Sequence, residues 1–135
     1  MKTVETYVFR VKPDQELAEA VKNYCKQNNI SSAVITGIIG SLRSVELGFL
    51  KELPGKYITR KFEGPIEIVA AQGSIALCEE ELIAHVHLLI SDEKNAVGGH
   101  LVTGTIFSTA EVVLQELDGQ LRRKTDDYTG LKELI

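Results

Sequence analysis

The chain has 135 residues, 44% of them apolar and 25% charged, which is typical of an ordinary soluble globular protein with one hydrophobic core. Its formal net charge of −4 at pH 7 argues against a protein that binds nucleic acid by neutralising phosphate groups. No apolar run reaches the roughly 18 residues of a membrane helix, and the start MKTVETYVFRVK lacks the continuous apolar core of a signal peptide. We therefore expect a single cytoplasmic domain over residues 1–135.

The first elements are a strand and a helix. Residues 4–11 alternate with a period of two, which predicts a strand with both faces partly apolar. Pro13 ends this strand, and Asp14 is a good N-cap for a helix over residues 15–27, where apolar residues recur at helical spacing. The two asparagines that follow residue 27 close the helix.

The rest of the chain, after Ile30, has the pattern of short β-strands separated by glycine, proline or charged turns. We predict strands at 32–39, 42–50, 57–63, 66–77, 82–90, 99–108 and 110–117. The Asp118-Gly119 pair indicates a type I′ hairpin leading into QLRRK, because both central residues of that turn need positive φ. One helix and many strands predict an α+β domain with a mostly antiparallel sheet or a partly open barrel.

The cysteines and the basic residues favour structural roles. Cys25 and Cys78 are far apart in sequence and lack the CxxC spacing of a metal or redox pair, so we expect both to be reduced packing residues. The longest basic run, 122–124, is followed by two aspartates at 126 and 127. This pattern favours a solvated strand end over a nucleic-acid surface.

All three histidines lie in the segment HVHLLISDEKNAVGGH, which spans residues 85–100. The even positions of LIAHVHLLI form an apolar face that should point into the core: Leu82, Ala84, Val86, Leu88 and Ile90. His85 and His87 share the other face, at a Cα separation of roughly 6.5–7 Å, which lets both imidazoles converge on one ion.

The position of the third histidine depends on the hairpin that follows. A turn from Asp92 to Asn95 would place His100 opposite His87, and a turn one pair tighter would place it opposite His85. Either register brings the three rings together, whereas an odd slip or a bulge at Gly98-Gly99 would separate them. Three neutral imidazoles with an open fourth position are a typical ligand set for zinc or a similar divalent ion.

The histidines also have a simpler interpretation that involves no metal. An HxH pair on the outer face of a half-exposed strand is common without any metal, and the period alone does not force His100 to the same face. Ile83 and Leu89 favour the metal, because they suggest a partly buried pocket in which unpaired imidazoles would be poorly satisfied.

The ordered series of motifs in the chain resembles the PPC domain, the "plants and prokaryotes conserved" domain. The motifs are GIIGSL (37–42), EIVAAQGSI (67–75), HVH (85–87), GGHLVTG (98–104) and TAEVVL (109–114). The closing Arg123, Asp127 and Thr129-Gly130-Leu131 also fit the prokaryotic branch of that family. The resemblance implies a compact α+β fold, a homotrimer, and a metal site that maps onto His85, His87 and His100.

The same resemblance bears on two other functions. Plant members join the domain to AT-hook motifs that bind DNA, and no Arg-Gly-Arg core flanked by prolines occurs in this chain. The fold of the family is also similar to that of acetolactate decarboxylase, a zinc enzyme. Residues that could complete a pocket for an organic acid here are Glu67, Glu111, Arg43 and Arg60, none of them in a diagnostic motif.

Self-association is expected from the apolar residues of the strands. Several strands have apolar residues on both sides: Val34, Ile35, Ile38, Ile39, Val112, Val113 and Leu114. One helix covers only one face of such a sheet, so a neighbouring subunit should cover part of the rest. Three functions are therefore considered: a trimeric metal-binding protein with a binding or regulatory role and a possible small-molecule ligand, a small metalloenzyme acting on an organic acid, and a DNA-associated protein.

Overall fold

The structure is a computed structural model that describes residues 1–135 and contains one helix and seven strands. In chain order the elements are β1 (Thr3–Val11), α1 (Leu17–Gln27), β2 (Ala33–Glu52), β3 (Lys56–Cys78), β4 (Glu81–Ser91), β5 (Ala96–Leu117), β6 (Arg122–Thr125) and β7 (Lys132–Leu134).

Four of the strands close into a ring. β2 pairs with β3, β3 with β4, β4 with β5 and β5 with β2, all of them antiparallel. β1 pairs with the second half of β5, β6 runs parallel to the end of β3, and β7 pairs with β6. The structure therefore confirms an α+β fold with a mostly antiparallel, partly closed sheet.

Three strands are much longer than the sequence pattern indicated. The predicted segments join in pairs: 32–39 with 42–50 in β2, 57–63 with 66–77 in β3, and 99–108 with 110–117 in β5. Bulges make this possible, since the register of β2 against β5 shifts between Gly40 and Leu42 and again before Ser44. Gly40 and the Gly64-Pro65 pair, which resembled turns, lie inside the continuous strands β2 and β3, whereas Pro54-Gly55 forms the turn between them.

The helix begins at Leu17, and its N-cap is Glu16 rather than the predicted Asp14. The Glu16 carboxylate accepts a hydrogen bond from the N–H of Glu19 at 2.9 Å. Asp14 has a φ of 69° and belongs to the turn before the helix, which prevents it from capping. At the other end Asn28 is the C-cap, as expected.

The Asp118-Gly119 pair does not form the predicted hairpin. Neither residue has positive φ, which a type I′ turn needs at both positions. Instead, the Asp118 carboxylate accepts a hydrogen bond from the N–H of Lys2 at 2.7 Å, and the N–H of Asp118 donates to the Lys2 carbonyl at 2.9 Å. The chain then crosses to β3, where Arg123 is paired with Cys78.

The helix covers one face of the sheet. It packs against β5, β4 and β1, and its buried residues are Leu17, Val21 and Cys25. The rings of Phe9 and Tyr24 stack with their centroids 3.7 Å apart, which fixes the helix to β1. Both cysteines are free thiols, as predicted, and burial raises the pKa of Cys25 to about 11. With eleven residues, the helix is too short to cross a membrane.

Candidate metal centre

The turn between β4 and β5 sets the register of the strands that carry the histidines. The Asp92 carboxylate accepts hydrogen bonds from the N–H groups of Lys94 and Asn95, both at 2.7 Å. The N–H of Asp92 donates to the Asn95 carbonyl at 3.1 Å. The turn therefore runs from Asp92 to Asn95, and it pairs His87 with His100, as predicted for a turn at these residues.

The two faces of β4 differ as its alternating sequence predicts. Val86, Leu88 and Ile90 are buried in the core, and the side chains of His85 and His87 occupy the opposite face. Gly73 of β3 lies opposite Val86, and a Cβ atom at this glycine would come within 2.3 Å of the His85 carbonyl oxygen. The absence of a side chain at residue 73 thus lets β3 approach the strand that carries the histidines.

The three imidazole rings meet on one face of the β4–β5 hairpin. One ring nitrogen from each histidine lies within 4.8 Å of the other two. The Nε2 atoms of His85 and His87 are 3.2 Å apart. Two nitrogen ligands of a tetrahedral zinc ion at the usual bond length lie about 3.3 Å apart. A hydrogen bond between the two rings would give a similar distance. The presence of the third ring, that of His100, therefore favours a metal site over a simple hydrogen-bonded pair.

Burial favours the neutral form of two of the rings. The pKa of His85 is lowered to about 4, mainly by desolvation, with smaller contributions from the charges of His100, Arg123 and His87. Desolvation also lowers the pKa of His100, with a smaller contribution from His87. A neutral ring offers a nitrogen lone pair to a metal ion, whereas a protonated ring does not. Both rings therefore have the ligand form at neutral pH.

The cluster contains an unsatisfied buried nitrogen. Nδ1 of His100 is shielded from solvent and has no hydrogen-bond partner. Leaving such an atom without a partner costs free energy, and a bound cation is one partner that would compensate a ring nitrogen. The donor set, the ring separations and this unpartnered atom together fit a divalent ion of the zinc type.

Arg123 lies next to the histidine cluster. The sequence had predicted that the basic run 122–124 is a solvated strand end. Its guanidinium is buried, with 8% of the residue exposed, while Arg122 and Lys124 are exposed. Nη2 donates to the Ser74 hydroxyl at 2.9 Å and lies 3.4 Å from Nδ1 of His85. The interpretation of Arg123 as solvated is wrong, because β6 pairs with β3 and turns this side chain towards the histidines.

Two cavities share the histidine cluster. The first, here called the Arg123 cavity, has a volume of about 460 Å³. Its lining comes from five strands and the last turn: Tyr57, Thr59, Ile83, Ala84, His85, His100, Val102, Arg123, Gly130, Leu131, Lys132 and Glu133. The second, here called the Ile39 groove, has a volume of about 570 Å³ and contains His87, Val69 and Leu89 beside Ile39. The predicted pocket beside Ile83 and Leu89 therefore corresponds to two cavities.

The residues that the sequence suggested as pocket candidates lie outside both cavities: Glu67, Glu111, Arg43 and Arg60. The Nε of Arg43 donates to the Asp14 carboxylate at 3.1 Å, and its guanidinium lies over the ring of Phe107. Glu111 lines a separate groove that also contains Ile39. A role of these four residues in a pocket for an organic acid stays a prediction.

Residues 1–118 match the family model of the Plants and Prokaryotes Conserved (PCC) domain, the family named PPC above. The chain belongs to this family. The resemblance carried by the sequence motifs is thereby confirmed. Arg123 lies beyond the residues that the family model matches.

Several solved structures share the fold over almost the whole chain. A PPC protein from Pyrococcus horikoshii is 35% identical, with a TM-score of 0.89 over 98% of this chain and 93% of that one. A metal-containing protein from Archaeoglobus fulgidus has a TM-score of 0.92 at 24% identity, over 99% and 95% of the two chains. A protein from Bacteroides thetaiotaomicron, named as a candidate DNA-binding protein, has a TM-score of 0.90 at 24% identity, over 100% and 94%.

Two further matches extend the comparison. Acetolactate decarboxylase from Bacillus subtilis subspecies spizizenii is 16% identical, with a TM-score of 0.54 over 86% of this chain and 54% of that one, which shows a likeness of fold. A curated relative, the bifunctional protein GlmU of a Synechococcus strain, is 29% identical over 135 residues. This chain spans only 20% of the length of that protein.

Proposed function

We propose that this PPC-domain protein binds a divalent metal ion, with zinc as the first candidate, through His85, His87 and His100. The observation that carries the proposal is the convergence of one nitrogen from each ring within 4.8 Å. The lowered pKa values of two rings and the unpartnered Nδ1 of His100 support it. The likeness to the Archaeoglobus fulgidus protein, which is described as containing metal, points the same way.

The chain itself supplies three imidazole ligands held by two hydrogen-bonded strands. A bound ion would supply Lewis acidity at the coordination position that three protein ligands leave open. Ser74 and Arg123 lie next to the ring of His85 and restrict its orientation. The arrangement suits a binding or regulatory role in which the open position accepts a small ligand.

Elemental analysis tests the proposed metal site directly. The purified protein is equilibrated with zinc, freed of excess metal and analysed for zinc, cobalt, manganese and iron. We expect about one zinc ion per chain, bound by the three histidines. A crystal structure with anomalous scattering at the zinc edge then identifies the ligands. Zinc bound elsewhere, or far below one ion per chain, contradicts the proposal.

We also propose that the protein is a homotrimer whose subunits meet along the Ile39 groove. Three strand residues in this groove are apolar and exposed in the isolated chain: Ile39 (58%), Val69 (51%) and Leu89 (39%). Contiguous exposed apolar residues are typical of an interface. His87 lies in the same groove, so a neighbouring subunit would border the metal site. The number three comes from the family resemblance, and cyclic symmetry permits it. A cytoplasmic location remains the expectation from the sequence.

A metalloenzyme that acts on a small organic acid is the second candidate. The buried Arg123 beside the histidines favours it, because a cation next to an open metal position suits a carboxylate substrate. The test is an NMR assay of the zinc-loaded protein with a panel of 2-oxo and 2-hydroxy acids. Turnover that disappears with the metal would establish an enzyme, and the absence of turnover across the panel would favour the binding role.

Association with DNA is the third candidate, and its support is the naming of relatives such as the Bacteroides thetaiotaomicron protein. The net charge of −4 argues against strong phosphate binding. A DNA retardation assay at two salt concentrations tests this function. Retardation that weakens as salt rises would support it.

A further inference from the structure

Arg123 is a buried cation without a counter-ion in the chain. Only 8% of the residue is exposed. The ion pairs of the structure involve other residues: Lys22 with Glu19, Arg43 with Asp14 and Lys56 with Glu52. Glu133 lines the same cavity but is exposed and forms no ion pair. A buried charge without a partner of opposite sign costs free energy, so its presence needs a compensating function.

The hydrogen bonds of the guanidinium are also incomplete. Nη1 donates to the Lys132 carbonyl at 2.9 Å, and Nη2 donates to the Ser74 hydroxyl at 2.9 Å. Nε is buried and has no partner. All acceptors of Arg123 are neutral groups, whereas a guanidinium makes its strongest contacts with the two oxygens of a carboxylate or phosphate.

Metal binding would remove one of the remaining acceptors. Nη2 of Arg123 lies 3.4 Å from Nδ1 of His85, which can accept a hydrogen bond only when it carries no proton. If His85 binds the ion through Nε2, the atom nearest to His87, the proton of the neutral ring must be on Nδ1. Arg123 and His85 would then present two donors to each other, and an anionic oxygen is the acceptor that satisfies both.

The lining of the Arg123 cavity indicates the kind of anion. Its volume of about 460 Å³ is in the range of small-molecule sites. Ile83, Val102 and Leu131 contribute apolar surface, and the Tyr57 ring lies 5.6 Å from that of His100. An apolar lining around a single buried guanidinium suits an anion with a small organic body better than a fully hydrated inorganic ion.

We propose that Arg123 and the histidine cluster form a binding subsite for a small organic carboxylate, whose carboxylate group is held by Arg123 next to the metal ion. This proposal rests on the proposed metal site, because the bound ion both attracts the anion and converts Nδ1 of His85 into a donor. It adds the ligand class and a binding residue that lies beyond the stretch matched by the family model.

Calorimetric titration of sodium pyruvate into the zinc-loaded full chain tests the subsite. Arg123→Lys keeps the charge but loses the bidentate contact of the guanidinium with a carboxylate. We therefore expect pyruvate to bind at least about tenfold more weakly and the zinc content to be unchanged. Arg122→Lys is the matched control, because this neighbour in β6 is exposed and lies outside the cavity. It should bind pyruvate like the unaltered protein.

A second measurement needs no variant and remains decisive if Arg123→Lys does not fold. Pyruvamide has the shape of pyruvate without its charge, and the unaltered zinc-loaded protein should bind it at least about tenfold more weakly than pyruvate. Equal binding of the two compounds, equal affinity in Arg123→Lys, or binding of inorganic phosphate in place of pyruvate overturns the carboxylate subsite.

Zinc analysis of the same samples separates this proposal from the metal proposal. If the protein holds zinc but no pyruvate, the subsite is overturned and the metal site stands. If the protein holds no zinc, the metal proposal fails. Pyruvate binding by the metal-free chain that is lost in Arg123→Lys would then support the contact between Arg123 and the carboxylate and overturn its dependence on the metal ion. The absence of pyruvate binding with and without zinc overturns the subsite.

Discussion

His87 and His100 are directly paired across β4 and β5, so their side chains lie on the same face of the hairpin. His85 joins them because it is two residues from His87 on one strand. The cluster is therefore built on two strands and one tight turn, and its geometry is defined by backbone hydrogen bonds.

Replacing His87 with alanine should abolish stoichiometric zinc binding. Two imidazoles leave the ion too few protein ligands, so we expect zinc to fall from about one ion per chain to a small fraction of that. Elemental analysis after removal of excess metal measures the change. The control is Gln72→Ala, at the residue of β3 paired with His87, which has no imidazole to lose. Full zinc occupancy in His87→Ala would contradict the site.

Chelation should leave the fold intact. The strand that carries two of the histidines is held by Val86, Leu88 and Ile90 in a core that does not depend on the metal. We expect the circular dichroism of the β-sheet to be unchanged at room temperature after EDTA treatment. A cooperative loss of the β-sheet signal would show instead that the metal is structural.

Light scattering of the dilute protein should give a mass of about 45 kDa, three times the 14.9 kDa of one chain. A charge in the Ile39 groove should oppose assembly, so Ile39→Glu is expected to shift the mass towards that of a single chain. Leu50→Glu introduces the same charge at another exposed apolar residue outside the groove and should remain a trimer. A monomer mass for the unaltered protein would refute the trimer.

The metal-free protein should lose stability as the pH falls from about 6.5 towards 4. Burial holds the pKa of His85 at about 4 in the folded chain and also lowers that of His100, whereas the unfolded chain takes up these protons near pH 6.5. The unfolded state therefore binds more protons in this window, and the free energy of unfolding decreases on acidification. Urea unfolding in EDTA at several pH values measures it.

The control for the pH effect is a double variant in which His85 and His100 are both replaced with glutamine. Its unfolding free energy should change less between pH 6.5 and 4 than that of the unaltered chain, because the two shifted titrations are absent. An equally steep decline in the double variant would assign the acid sensitivity to other groups.

Replacing Gly73 with alanine should disturb both the fold and the metal site. The new Cβ would lie 2.3 Å from the His85 carbonyl oxygen, so β3 and β4 must move apart. We expect a loss of about 1–3 kcal/mol in the free energy of unfolding, together with weaker zinc binding. Gly37→Ala is the matched control, because its Cβ would meet nothing within 4 Å. Unaltered stability and zinc affinity in Gly73→Ala would contradict this role of the close approach.

The sequence by itself determined the main features of the histidine hairpin. Alternation in LIAHVHLLI decides which face of β4 is buried, because successive side chains of a strand point to opposite sides. The turn from Asp92 to Asn95 then decides the register of His100, since a short turn leaves few pairings open. These are local relations among residues close in the chain, so the pattern predicted the cluster as the outcome of either even register, and the observed turn selects one of them.

The tertiary structure alone decided where the long strands bend and which distant strands meet. β2 begins at Ala33, opposite Ile75, so the edge of β3 beyond that pair is left open and β6 occupies it at Cys78. This pairing buries Arg123 beside His85, in place of the solvated position that its basic neighbours suggested. The sequence around Arg123 does not contain this information, because a free strand edge is created by residues far away in the chain and is filled only when the whole sheet has formed.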